Sequence, residues 1–554
     1  MRRSRVAIKT ALLALVLFVL ALSAFAQTTR LGRIDFPASG SREAHEHFLR
    51  GVAALHSFWY EEALEAFQAA TKADPDFAMG YWGEAMTYNH PIWLQQDTEA
   101  GRKALARIKD TSKLTAREKA FIDALRVLYG EGDKLARDLA YAAAMEKMSR
   151  DFPDDLEAAA FHSLALLGTV RPGDKGFQRQ VKAGAIAQEV YQRNPNHPGA
   201  AHYVVHSFDD PEHAILALPA ARRYAEIAPA AHHAQHMPSH IFLQLGMWPE
   251  AAASNETAWR VSDEWVKSKK LALSLRDYHS NHWLTYVYCQ QGRYDRAEEL
   301  INRLRQTMKD HGRESVRWYD DTVAAFIVET ERWDLAAKLF NQPSSVEAGD
   351  HAGHGSHGAT PNIQAKPATT MTPNTRRGMS LPLFIRAMAA ANAGAADAEK
   401  LLGEMRASRQ QSNDAYGAKI LEIRELEVAA LIAASKKNFD AAFAAMKKAT
   451  ALEEEMSPPS GPPTLIKPSH ELFGEILLRA GKPKEAAQSF AFALNRQPNR
   501  ARSLIGSARA YARSGDKTRA VEFYTNFLRA WREADANLPE SSEAREFIGQ
   551  ANAR

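Results

Sequence analysis

Gly51-Val-Ala-Ala-Leu-His56-Ser-Phe-Trp-Tyr60-Glu-Glu-Ala63-Leu-Glu-Ala-Phe67-Gln-Ala-Ala70-Thr-Lys-Ala-Asp-Pro75 is the stretch that decides the fold. It lies in a segment, 44–77, whose landmarks return elsewhere at a spacing of 34 residues. Pro195 and Pro229 are 34 apart, as are His202 and His236, His206 and His240, and His56 and His90. Near the C-terminus Gly481 is followed by Phe490, Ala493 and Pro498, and 34 residues later Gly515 is followed by Ala520, Tyr524 and Phe527. A fixed period of this length signals a repeat array. Each unit reads as an amphipathic helix pair that cannot bury its apolar stripe alone, so stacked neighbours must build a continuous core. Sustained period-2 alternation and Asn-Gly hairpin turns are missing, which predicts an all-α chain.

Those residues resemble the tetratricopeptide repeat (TPR). In that motif a Gly and an aromatic mark the tight turn, a small Ala lets the helices approach, and a Pro ends the second helix. The resemblance implies a helical-hairpin solenoid with a concave groove, and a role as a binding scaffold. Units starting at 44, 198, 232, 467 and 501 fit fully, and those at 78, 122, 156, 278 and 423 in part. The unit at 278, with Gly292, Tyr294 and Ala297, follows the one at 232 by 46 residues, so twelve are inserted. The resemblance covers about two-thirds of the chain after its leader.

The 554 residues are 45% apolar and 25% charged, an ordinary globular composition. Net charge is +4, and Arg2, Arg3, Arg5 and Lys9 supply that excess. The balanced remainder lacks the basic footprint of a nucleic-acid binder. Residues 1–26 read as a signal peptide: a basic start, an apolar Ala11–Leu22, and Ala24-Phe25-Ala26 before Gln27. Export to the periplasm or medium is expected, without a membrane span after cleavage. The single Cys289 excludes intrachain disulfides and thiolate-rich metal sites, and reads as a small buried residue. Residues 342–380 are rich in Gly, Pro, Thr and His and read as a flexible linker. It separates an N-terminal array, 27–341, from a C-terminal array, 381–540, followed by a tail, 541–554. The Pro-rich Ser457–Pro468 insertion either lies over a groove or crosses the surface.

Eight of the 20 histidines fall between His197 and His240. The resemblance to the TPR motif implies that positions 2, 5, 9, 12 and 13 of each first helix face the groove. His202 and His206 are fifth and ninth in one unit, and His236 and His240 are fifth and ninth in the next. An i,i+4 pair can hold one ion with two imidazoles. Packed helices lie 8–10 Å apart, so two such pairs can converge. His202, His206, His236 and His240 are therefore the leading metal candidates. His56, His90, His233, His279, His282 and Asp209 also take groove slots and are secondary ones. Nitrogen donors with one carboxylate suit a transition metal such as Zn, Cu or Fe. The segment His232-His-Ala-Gln-His-Met-Pro-Ser-His240-Ile is similar to the His-rich stretch of large, mostly uncharacterised bacterial exported TPR proteins. That similarity implies a fold and no reaction.

His351, His354 and His357 in the linker form a second possible metal handle. His162 and Glu84 fall seventh, on the packed face, and read as structural. His197, His213 and His311 lie at loops or helix ends and read as solvated. Phe58, Tyr60, Tyr81, Trp82, Tyr88 and Trp93 read as packing, with some able to wall a pocket. His470-Glu471 lies where it could close over a site. No H-E-x-x-H, G-x-S-x-G or phosphate-loop signature occurs, and no catalytic residue is identified. The leading reading is an exported binding scaffold whose groove holds a transition metal and receives a peptide, protein or small ligand. A Zn hydrolase or Cu/Fe oxidase with Asp209, Asp210 or Glu84 as acid–base group is one alternative. A metal-free protein–protein scaffold is the other.

Overall fold

The structure is a computed structural model describing residues 30–340, except 172 and 175, and 381–553, except 412–414. The expected leader, the linker and its three histidines lie outside the described residues. The fold is all-α, built from antiparallel helical hairpins of TPR type packed one on the next. The only ladder among the described residues is a two-residue pairing, Asn89 with Gln96 and His90 with Gln95. No described helix is long and apolar enough to cross a membrane. The chain forms two compact units. Among the described residues the first is drawn from 30–170, 176–208 and 216–238, and the second from 171–174, 209–215, 239–340 and 381–553.

Local chemistry sets the helix limits. Ser41, Asp97, Thr115, Asp133 and Asp155 each accept a backbone N–H at a helix start, and Thr115 with Glu118 completes a reciprocal capping box. One contact between hairpins recurs, once in each unit. In the first unit Phe67 fills the space in front of Gly51 and Gly83, where an added Cβ would stand 2.6 and 2.3 Å from the ring. In the second unit Phe490 does the same to Gly474 and Gly506, at 2.7 and 2.4 Å. In both cases the Phe follows the first glycine by 16 residues and the two glycines are 32 apart. The aromatic of one hairpin thus reaches across its own partner helix and the next hairpin, which requires missing side chains on both.

Two expectations about register change. The twelve inserted residues before 278 go into the long helix Trp248–Ser268 and the turn Leu273–Leu275. The unit at 232 does not begin with one continuous helix. It opens with the short helix His232–His236, and a second helix starts at Pro238. Proline has no N–H for the helical ladder and its ring crowds the preceding turn. The Ser457–Pro468 insertion packs down in the second unit: Gly461 lies against Trp283, and the Pro459 carbonyl accepts from Gln244 at 2.8 Å.

Candidate metal centre

In the first unit the helix Pro198–Ser207 packs against Arg42–His56 and Leu156–Leu167. That contact builds two linked layers of imidazole. The inner layer is His56, Glu157 and His197, all fully buried. The His56 Nε2–H donates to Glu157 at 2.7 Å, and the Tyr203 hydroxyl donates to His56 Nδ1 at 2.8 Å. His197 precedes Pro198 and caps that helix: its Nδ1 accepts from the Ala200 N–H at 3.1 Å. Its other nitrogen then carries the proton and donates to Glu157 at 3.2 Å. Burial alone would push the Glu157 carboxyl up. The His197 and His56 rings on its two oxygens overcome that and hold it well below the ordinary carboxylate range. Burial lowers His56 despite the opposing pull of Glu157. His197 is therefore not solvated, as its place between loop and helix suggested; it is a buried cap. Each ring nitrogen of this layer already has a protein partner, so the group is a closed network although its donor atoms lie within 4.8 Å of one another.

The second layer is His202, His206 and His233, whose donor atoms also fall within 4.8 Å of one another. His202 is fully buried, and its Nδ1–H donates to the His56 carbonyl at 2.7 Å. In the neutral ring that bond puts the lone pair on Nε2, and this atom stands 3.2 Å from Nε2 of His233. His206, one turn after His202, lies with its ring 4.7 Å from that of His202. Burial keeps His233 far below its ordinary value, with the neighbouring imidazoles adding to the effect, so it is neutral at physiological pH. Aromatic rings enclose the layer. Phe58 lies 4.3 Å from His202 and stacks on His206 and His233 at 5.6 and 5.7 Å, and Trp93 stands edge-on to His233 at 6.2 Å. Phe58 has φ +52°, a left-handed conformation unusual for a bulky residue. The turn after His56 accepts that strain and places the ring against three imidazoles.

The remaining candidates are distributed as follows. His236 is fully buried in the first unit, its ring 6.0 Å from His233. His90 stacks on Tyr60 at 3.8 Å, its Nε2–H donates to the Thr87 carbonyl, and burial pushes it down to about 4. In the second unit His240 Nδ1–H donates to Asp209 at 2.6 Å, its ring lies 4.2 Å from Trp283, and burial pushes it down to about 3. Asp209 thus orients an imidazole. His279 and His282 contact Trp318, and Thr322 bonds the His282 ring at 3.4 Å. Asp210 caps a turn through the Glu212 and His213 N–H groups and also binds the His213 ring. Glu84 is buried against Arg107 at 3.0 Å, and His470 is tied to Glu454 at 2.8 Å. His162 is buried, and so is Cys289, whose thiol burial pushes well up.

No family model matches the chain, and no curated protein does. Solved structures do resemble it. A human IFIT1 dimer with PPP-AAAA is 14% identical, over 91% of this chain and 94% of that one, with a TM-score of 0.35. A Rap protein complexed with competence and sporulation factor is 13% identical, over 75% and 99%, with a TM-score of 0.33. Yeast Tom70 is 11% identical, over 93% and 89%, with a TM-score of 0.23. Likeness at this level carries no argument about activity; the fold rests on the chain's own helical hairpins.

Proposed function

We propose that this chain is an exported TPR-type scaffold whose first unit binds one transition-metal ion through His202, His206 and His233, leaving a coordination position for a ligand. One observation carries the reading: Nε2 of His202 faces Nε2 of His233 at 3.2 Å, with His206 beside them. Two nitrogens bound tetrahedrally at ~2.0–2.1 Å to one ion stand ~3.4 Å apart. The His202–His56 bond is the outer contact that metal-bound histidines usually make, an N–H to a backbone carbonyl. His236 is a further candidate in the same unit. Three imidazole nitrogen donors suit Zn, Cu or Fe better than Ca or Mg. The ion serves as an anchor for a peptide, protein or small ligand, the scaffold role that TPR hairpins imply. Export rests on the leader's composition alone.

Elemental analysis of the purified chain tests this. Wild type should carry about one equivalent of a first-row metal, and His202→Ala/His233→Ala should lose it while His90→Ala retains it. Equal metal in wild type and the double variant removes the proposal. A wild type without metal, even after loading and desalting, leaves a metal-free scaffold in which the 3.2 Å contact is an N–H···N hydrogen bond.

A further inference from the structure

The second unit contains a cavity of about 240 Å³ that shares no residue with the candidate metal centre. This is well above the ~10–15 Å³ that admits a single water. Lys467 forms part of its wall and is only 2% exposed. Its ammonium has three N–H donors. Two are used, on Glu471 at 3.0 Å and Glu475 at 2.6 Å. No third acceptor stands among the described residues, so the last donor is left to whatever fills the cavity. The Lys467 charge is fixed: burial opposes it, but the carboxylates of Glu471, Glu475 and Glu331 overcome that and hold the group protonated. Behind it Arg500 bridges Glu329 and Glu471 at 2.7 Å each, and Glu471 in turn holds Lys467.

The same wall carries unused acceptors. Glu475 gives one oxygen to Lys467 and Glu331 gives one to Arg502 at 3.1 Å; the second oxygen of each has no partner among the described residues. Arg479 adds a second cation and contacts Asn392 at 3.5 Å. Trp333 and Met388 supply an apolar side. A simple anion would meet two carboxylates with spare oxygens, and a simple cation would meet an ammonium with a spare donor. A molecule with both charges on neighbouring atoms satisfies both. Lys467 is buried, and leaving its third N–H unanswered there is costly, which gives the occupant part of its binding energy.

We propose that this cavity binds a free α-amino acid, with its carboxylate on Lys467 and Arg479, its ammonium on Glu331 and Glu475, and an apolar side chain against Trp333 and Met388. Isothermal titration of the purified chain with L-leucine tests this, beside 4-methylpentanoate, which lacks the amine, and 3-methylbutylamine, which lacks the carboxylate. Saturable binding of L-leucine is expected, with each one-charge analogue weaker by about tenfold or more. Glu331→Gln and Arg479→Ala, both at exposed positions, should each weaken leucine by about tenfold while leaving the helical circular dichroism unchanged. The proposal is overturned if none of the standard amino acids gives saturable heat. It is equally overturned if either analogue binds as tightly as its parent amino acid, or if both folded variants bind as wild type does.

Discussion

Gly199 has no side chain because the His56 ring occupies the space one would fill: an added Cβ would stand 2.3 Å from Nδ1. Gly199→Ala should therefore cost ~1–3 kcal/mol, seen as a lower denaturant midpoint at unchanged slope. An unchanged midpoint would mean that the buried His56–Glu157–His197 network tolerates displacement. Glu157→Ala should be worse, by ~3–5 kcal/mol, because two buried N–H donors lose their acceptor. Sequence reasoning missed this network for a definite reason. His197 sits between Asn196 and Pro198, where chain composition says loop, and nothing local indicates that a glutamate 40 residues earlier meets it. His233 was legible only as a groove position; its pairing with His202 depends on how two hairpins pack.

At the scale of the helix, the hairpin is the most legible feature, since the 34-residue spacing and the Gly, Ala, Phe and Pro landmarks fix it. The pairing of Phe67 with Gly51 and Gly83 makes the landmarks physical. Gly83→Ala puts a methyl 2.3 Å from the Phe67 ring and should destabilise by ~1–3 kcal/mol; wild-type stability would show the hairpins can slide apart at little cost. The helix around His236 and His240 was less legible. Counting repeat positions placed both residues on one turn of one helix, but Pro238 falls between them and a new helix starts there. The proline was visible in the sequence; repeat register hid its ordinary effect. The twelve-residue excess before 278 likewise read as an insertion of unknown form, since a helix extended to 21 residues keeps the same apolar periodicity.

At the scale of the molecule, buried neutral imidazoles make stability depend on pH. Burial lowers His90 and His282 from the ordinary 6.5 to about 4. Between those values the unfolded chain binds more protons than the folded one, so stability falls as pH drops from ~6.5 towards 4 and is level above ~7. Each unit of depression corresponds to ~1.4 kcal/mol, so the pair should lose a few kcal/mol over that window. Thermal melts from pH 7.5 to 4.5 check this, and His90→Gln/His282→Gln should flatten the slope. A melting temperature independent of pH in wild type would contradict the burial of these rings.

The central claim is that one ion sits between His202, His206 and His233, and anomalous diffraction from metal-loaded crystals tests it most directly. The account predicts one anomalous peak at ~2.0–2.1 Å from a ring nitrogen of each of the three residues, with His202 Nδ1 still bonded to the His56 carbonyl. Crystals soaked in metal that show no peak there, or show it on the linker histidines instead, would contradict it.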